Sequence, residues 1–219
     1  MEQYQDYYKA LNNRNKKLFE KRVQKFIEIK KFIPRGELNE ISPEMKALIA
    51  ASAIQVTFGM PGVYFQHFWR ILVYKDTYYS RVRGEYHQGA VHKRGLIILS
   101  WKNFLKGYVI RNDGKNLGLH EMAHALHLEN RILNGEYNYF KDKWKKEFVK
   151  ISKEERAKIR NGQKTIYRKY AATNKYEFFA ISIELFFEKP EELREYDQNI
   201  YYVLSNLLKQ DVIELQMNQ

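Results

Sequence analysis

Residues 116–127 read "NLGLHEMAHALH" and bring three histidines and one glutamate into a short, mostly apolar segment. His120 and His124 are four residues apart, and Glu121 directly follows the first of them. On an α-helix, residues four apart lie on one face about 6 Å apart along the axis, so both imidazoles can bind one zinc ion. Glu121 lies one step round the helix, where it can contact water beside the metal. The spacing predicts a helix that carries a metal site.

Apolar side chains on almost every side of these residues favour a metal site over a surface helix that happens to carry histidines. Burial of three ionisable groups in such surroundings costs free energy unless a partner compensates. A metal ion is the compensation that the HExxH spacing indicates. The apolar neighbours are Leu117, Leu119, Met122, Ala123, Ala125 and Leu126.

The third ligand is not supplied by this segment. His127 lies three residues beyond His124, about 4.5 Å further along the helix, and does not easily reach the same ion. The metzincin pattern HExxHxxGxxH is absent, because it requires glycine at position 127 and histidine at position 130, where this chain has Asn130. We therefore expect a downstream carboxylate, as in sites of the His₂Glu type. The remaining histidines are expected to be ordinary surface or packed residues: His67, His87 and His92.

Two glutamates are candidates for that carboxylate. In "YEFFAISIELFF", residues 176–187, Glu177 and Glu184 are the only charges, and their separation of seven residues places them on one stripe of a helix. A carboxylate on an apolar face needs a metal, a cation or a hydrogen-bond network, so the alternative is two structural acids paired with arginine or lysine. Spacing alone does not rank the two. Other glutamates lie in lysine-rich surroundings and are expected to be solvated: Glu136, Glu147, Glu154 and Glu155.

The order of the predicted elements, strands first and helices afterwards, indicates an α+β fold. A buried helix is expected to begin near Pro43 and end before Gly59, followed by strands in "FWRILVY", "TYYSRVRGEY" and "GLIILSW". Ser100 and Asn116 are expected to cap the next two helices, the first of which Gly107 ends. Residues 1–33 are predicted to be helical, and residues 32–43 to be a connecting segment. The later helices are predicted at about 117–130, 137–150, 152–160, 174–188 and 197–209.

Length and composition favour one globular domain over residues 1–219, with N-terminal helices and the sheet in 1–110 and the active-site and C-terminal helices in 111–219. The absence of cysteine excludes disulfides, thiolate zinc sites and cysteine nucleophiles. No secretory signal is visible at the N-terminus. The uncharged segment 47–69 is interrupted by "FGMPG", short of the about 20 apolar residues that a membrane span needs. A cytoplasmic protein without a membrane segment is expected.

Six blocks occur in order between residues 20 and 211: "PEMKALIAASAIQV", "WRILVY", "LIILSW", "DGKNLGLHEMAH", "YAATNKYEFFAISIELFFEKP" and, more weakly, "IYYVLSNLLKQD". They resemble the Mlc titration factor A (MtfA) family of zinc peptidases, and the combination of HExxH with "DGKN" and "YAATNKYEFFA" makes the resemblance specific. The same segments are similar, at the level of the fold, to the catalytic domain of anthrax lethal factor. The resemblance implies a zincin-like fold of the gluzincin type.

The resemblance also implies roles for individual residues. It makes Glu177 the third ligand of one Zn²⁺ per chain, and it makes Glu184 an acid that orients a ligand histidine, with Asn116 beside it. Tyr170 matches a tyrosine that helps to stabilise the transition state, and Glu121 is the general base. The family usually carries aspartate where this chain has His127.

Two functions follow from the resemblance. The first is peptide-bond hydrolysis, on short peptides or near their N-termini in the manner of an aminopeptidase. The second is a regulatory protein that binds an Mlc-like repressor and has a latent zinc site. An open ligand set with Glu121 favours the enzyme, because structural zinc sites are usually closed by four protein ligands. Nucleic-acid binding is not expected, since only the net charge of +12 suggests it and no recognised motif accompanies that charge.

Overall fold

A small sheet is set against a group of helices in the computed structural model, which describes residues 6–81, 84–110, 112–131 and 139–217. The elements are α1 (Asp6–Lys9), α2 (Asn13–Ile29), β1 (Lys31–Arg35), α3 (Pro43–Thr57), β2 (Arg70–Tyr74), β3 (Tyr78–Ser80), β4 (Glu85–His87), β5 (Gly89–His92), β6 (Leu96–Ser100), α4 (Trp101–Val109), α5 (Leu117–Glu129), α6 (Asp142–Arg160), a 3₁₀ helix (Lys169–Ala172), α7 (Lys175–Glu188), α8 (Pro190–Tyr196), α9 (Gln198–Leu208) and α10 (Val212–Met217). The predicted helical residues 1–5, the start of the helix predicted at 137 and the surroundings of Glu136 lie outside the described residues.

Four strands form the main sheet in the order β1-β2-β6-β5. The first three are parallel, with Arg70 opposite both Lys31 and Leu96. Strand β5 runs antiparallel to β6, with Gly89 opposite Leu99, and contacts helix α5. The sheet therefore presents an antiparallel edge strand to the helix that carries the HExxH segment.

The predictions for the first 43 residues were partly wrong. Residues 31–35 form β1, where a helix end and a connecting segment were predicted. Pro34 lies in this strand without disrupting the sheet, because β1 pairs on one side only, and proline is tolerated in edge strands. Strand β5 was not predicted, whereas the predicted strand region in "TYYSRVRGEY" contains β3 and the start of β4, which pair antiparallel as a separate sheet.

Helix α3 is buried on nearly all sides, as the uncharged segment predicted. It begins at Pro43 after Ser42, whose hydroxyl accepts the backbone N–H of Met45 at 3.2 Å. It packs against α2 on one side and α5 on the other, with Ala50 and Ile54 fully buried. Across the described ranges, none of the helices is both long enough and apolar enough to cross a membrane.

The helices after the sheet lie where they were predicted, but their number differs from the prediction. Helix α4 begins at the predicted cap, Ser100, but continues past Gly107 to Val109. Helix α6 is one continuous helix where two were predicted, since no glycine or proline interrupts it. The short helices α8 and α10 were not predicted. Glu155 is buried, not solvated, because it lies on the inner face of α6 and accepts the hydroxyl of Tyr196 at 2.6 Å.

One hydrophobic core joins the two parts of the chain. Helix α5 lies inside it and contacts α3, α4, α7, β5 and β6. Helix α7 packs along α5, and its residues from Phe178 to Phe187 are buried. The two apolar helices that carry the candidate ligands are therefore held side by side by the core. The single-domain boundaries remain a prediction.

Candidate metal centre

The start of helix α5 is fixed by local contacts that leave little room for change. Asn116 caps the helix, with its side-chain oxygen accepting the backbone N–H of Leu119 at 3.1 Å. Gly118 lies so close to α3 and α4 that an added Cβ would approach Ser52 Oγ to 2.6 Å and the ring of Phe104 to 2.7 Å. The predicted cap is confirmed, and the close packing sets which face of α5 points towards α7.

The packing of α5 on α7 brings three donor atoms together. His120 Nε2 lies 3.1 Å from His124 Nε2 and 3.1 Å from Glu177 Oε2, and His124 Nε2 lies 3.4 Å from the same oxygen. Four ligands at about 2.0 Å from a tetrahedral ion lie about 3.3 Å from one another. The three atoms thus have the spacing that zinc requires. Among the described residues they form the one group of three or more His, Asp or Glu side chains that fits a metal ion.

Glu184 contacts the other side of the His120 ring. Its Oε1 lies 2.6 Å from His120 Nδ1, and its Oε2 accepts the backbone N–H of Asn116 at 2.8 Å. The carboxylate can only accept, so it holds a proton on Nδ1 and leaves Nε2, which faces Glu177, as the nitrogen that can give up its proton to bind a metal. The two acids that spacing could not rank have different neighbours, because they meet opposite nitrogens of one imidazole.

The cluster attracts positive charge. Burial opposes a charged imidazole, but the contacts with Glu177 and Glu184 outweigh it and raise the pKa of His120 to about 10. Burial raises the pKa of Glu177, but the contacts with His120 and His124 outweigh it and hold that pKa well below its usual range. A metal cation bound between these groups would be stabilised by the same negative charges that stabilise the protonated His120 ring.

Glu121, which lies beside this cluster, has the properties of a reactive carboxylate. It is 4% exposed, burial raises its pKa, and no donor of the described chain reaches its Oε2. Its other oxygen lies against β5, since a Cβ built on Gly89 would be 2.4 Å from Oε1. A buried carboxylate without its full set of hydrogen bonds is costly and is characteristic of functional sites.

A cleft of about 630 Å³ opens onto these residues. It is lined by His120, by Glu121 and by Tyr170 of the 3₁₀ helix, whose side chain is 53% exposed. Two further exposed apolar side chains line it, Tyr86 at 72% and Ile110 at 53%. Large apolar side chains exposed at one cleft indicate a binding site.

The remaining histidines are not part of the cluster. His127 packs edge-on against Tyr176 at 5.1 Å and beside Phe179 at 5.4 Å. Burial, with a smaller contribution from Arg131, lowers its pKa to about 4, so it is a neutral packed imidazole. The histidines on the strand side contact loop groups: His67 Nε2 lies 2.6 Å from the carbonyl of Lys93, and His92 Nδ1 accepts the backbone N–H of Arg94. His87 lines the cleft, which its expected role as an ordinary histidine did not anticipate.

Sequence reasoning missed Arg168 and Gly89. Arg168 lines the cleft and forms two hydrogen bonds with Glu184, at 2.7 and 3.2 Å. The alternative in which both glutamates pair with arginine or lysine included such a partner, but nothing pointed to this arginine. Gly89 offered no local signal, because only the approach of Glu121 makes it necessary.

Two imidazoles and a carboxylate on packed helices, beside a small sheet and a buried glutamate, are the features of a metal-dependent hydrolase with an α+β fold. The chain belongs to the glucose-regulated metallo-peptidase M90 family, whose model matches residues 1–209. This confirms the resemblance to the MtfA family. The chain is also 26% identical over 214 residues to the uncharacterized protein slr2042 of Synechocystis sp., a match that covers 90% of this chain and 78% of that protein. Membership of a metallopeptidase family implies a metal and peptide substrates.

Proposed function

We propose that the protein is a zinc-dependent peptidase of the gluzincin type in which His120, His124 and Glu177 bind one Zn²⁺. The observation that carries the proposal is the convergence of three donor atoms within 3.4 Å, beside the buried carboxylate of Glu121. Bound zinc would supply a Lewis acid that polarises the scissile carbonyl and lowers the pKa of water to about 7. The three ligands leave the fourth position open, as catalytic sites require.

Glu121 is the proposed general base. It accepts the proton of the attacking water and returns it to the leaving amine, a role that needs a carboxyl pKa nearer to neutrality than that of a solvated glutamate. The direction of the shift, upward through burial, supports this role. The backbone of β5 at Gly89 holds the carboxylate from one side, which limits the positions that it can adopt.

Tyr170 is the proposed donor to the developing oxyanion. It lines the same cleft as His120 and Glu121, and a hydrogen bond of this kind contributes about 3 kcal/mol to transition-state stabilisation. The antiparallel edge strand β5 contacts α5 and can pair with an extended peptide through its backbone. Exposed Tyr86 and Ile110 would contact the side chains of that peptide.

The preferred substrates are proposed to be short peptides or the N-terminal region of longer ones, as for an aminopeptidase. The cleft volume of about 630 Å³ supports this proposal, since sites of about 300–1,000 Å³ bind molecules of limited size. The position of the cut relative to the N-terminus is what the experiment below measures.

The test is a cleavage map. Zinc-loaded wild type and its Glu121→Gln variant are incubated with a mixed peptide library, products are identified by mass spectrometry, and bound zinc is measured for both. Cleavage by the wild type alone, with zinc present in both proteins, supports the peptidase, and the cut positions separate exopeptidase from endopeptidase. If neither protein cuts although both bind zinc, the peptidase proposal fails and the regulatory alternative, binding of an Mlc-like repressor, is favoured.

A further inference from the structure

Arg168 connects three segments of the site. Its Nη2 donates to Glu184 Oε1 at 2.7 Å, and its Nη1 donates to Glu184 Oε2 at 3.2 Å. The same Nη1 donates to the carbonyl oxygen of Gly114 at 2.6 Å, in the loop that leads to Asn116. This two-pronged contact matches the planar guanidinium to the planar carboxylate, a geometry that lysine does not reproduce.

Glu184 depends on this contact for its position. It is 1% exposed, and its other donors are the ring N–H of His120 and the backbone N–H of Asn116. Arg168 is the permanently charged side chain that contacts it among the described residues, at 2.7 Å. A buried carboxylate that loses its cationic partner is costly, so without Arg168 the Glu184 side chain would move away from its other contacts.

This displacement reaches His120. A displaced Glu184 no longer holds the Nδ1–H of His120, so the ring is less well oriented and Nε2 becomes a weaker ligand. We propose that Arg168 is a positioning residue of the metal centre, which acts through Glu184 to orient His120 and to strengthen its Nε2 as a ligand. The inference rests on the proposed function, since it assumes that His120 binds the metal.

The test measures zinc binding and does not depend on turnover. Metal-free wild type, Arg168→Gln, Arg168→Lys, Glu184→Gln and the Arg168→Gln/Glu184→Gln double variant are titrated with zinc against a chromophoric chelator. The control is Arg160→Gln, because Arg160 also contacts the 3₁₀ helix, through the carbonyl of Ala172 at 2.9 Å, but forms no hydrogen bond with Glu184 in the described part of the chain. Folding of each variant is checked by circular dichroism.

We expect Arg168→Gln to bind zinc 10–100-fold more weakly than the wild type, as is typical when an outer-shell partner is removed. Arg168→Lys should lie between the two, and Arg160→Gln should match the wild type. Because Arg168 acts through Glu184, the double variant should be no weaker than Glu184→Gln alone. In cobalt-substituted protein, Arg168→Gln should also change the visible absorption of the metal, which a purely structural role would leave unaltered.

Zinc affinity of Arg168→Gln within twofold of that of the wild type overturns the inference while leaving the proposed function intact. An additional loss in the double variant equal to the loss in Arg168→Gln also overturns it, because Arg168 would then act independently of Glu184. If Arg168→Gln does not fold, the affinity of Arg168→Lys decides by the same criterion. A wild type that binds no zinc overturns the proposed function, and this inference with it.

Discussion

Replacement of Gly89 by alanine should impair catalysis while leaving the metal site and the fold intact. The added Cβ would lie 2.4 Å from Glu121 Oε1 and 2.7 Å from its Cδ and Cγ. An ordinary contact is at least 3.4 Å, so the carboxylate must move by about 1 Å, the difference between 3.4 and 2.4 Å. The atoms in conflict belong to the end of a side chain, so the displacement costs the fold little.

The expected loss follows from that displacement. A catalytic group misplaced by about 1 Å costs about 100-fold in rate, which is about 2.7 kcal/mol of barrier. The loss should appear in kcat, with KM changed much less, because Glu121 is proposed to act on the water and not to hold the peptide. Zinc content and melting temperature should be those of the wild type.

The assay compares kcat and KM for a peptide identified by the cleavage map, together with bound zinc and thermal unfolding. Gly62→Ala is the matched control, because a Cβ at that position meets nothing within 4 Å. If Gly89→Ala retains kcat within threefold of the wild type, or loses zinc, the reasoning that β5 positions Glu121 is refuted.

Three further predictions concern the same helices. Glu121→Gln should lose about 10²–10⁴-fold in kcat while retaining bound zinc, measured by steady-state kinetics and metal analysis; loss of zinc would contradict the role of a base. A chelator should lower the free energy of unfolding by about 3 kcal/mol if zinc is present at 100 times its Kd, and Glu177→Ala should abolish this effect in denaturant titrations. His127, whose pKa is lowered to about 4, stays neutral in the folded state, whereas the unfolded state takes up a proton below about 6.5. Stability should therefore fall by up to about 3 kcal/mol as the pH decreases from 7 to 4, and His127→Leu should remove that part of the decline in melting curves.

The sequence predicted those parts of the fold whose structure depends on residues close by in the chain. The cap at Asn116, the start of α3 at Pro43 and the spacing of His120 and His124 are all written within a few residues, and they agree with the structure. Strand β1 could not be predicted in this way, because "KFIPR" becomes a strand only by pairing with β2, nearly 40 residues later. Glu155 was misjudged for the same reason, since its burial comes from packing against Tyr196.

The choice between Glu177 and Glu184 shows where pattern reasoning ends. Both lie on one stripe of an apolar helix, and both need compensation for their charge. Which one meets Nε2 of His120, and which one meets Nδ1, depends on how α7 crosses α5 and on Arg168. Of the two explanations weighed for these acids, the structural ion pair describes Glu184, which pairs with Arg168, whereas a metal ligand remains the proposed role of Glu177.

The charges of the described site explain why a divalent cation suits it. Arg168 balances Glu184, so that pair contributes no net charge near His120. The carboxylates of Glu177 and Glu121 remain, next to two imidazoles that are neutral when they act as ligands. Two negative charges beside neutral nitrogen donors match the charge of the proposed Zn²⁺, whereas burial without a cation leaves Glu121 with a raised pKa. The pairing of Arg168 with Glu184 thus does more than orient the His120 ring. It neutralises the charge on one side of that ring and leaves the net negative charge on the side where the metal is proposed to bind.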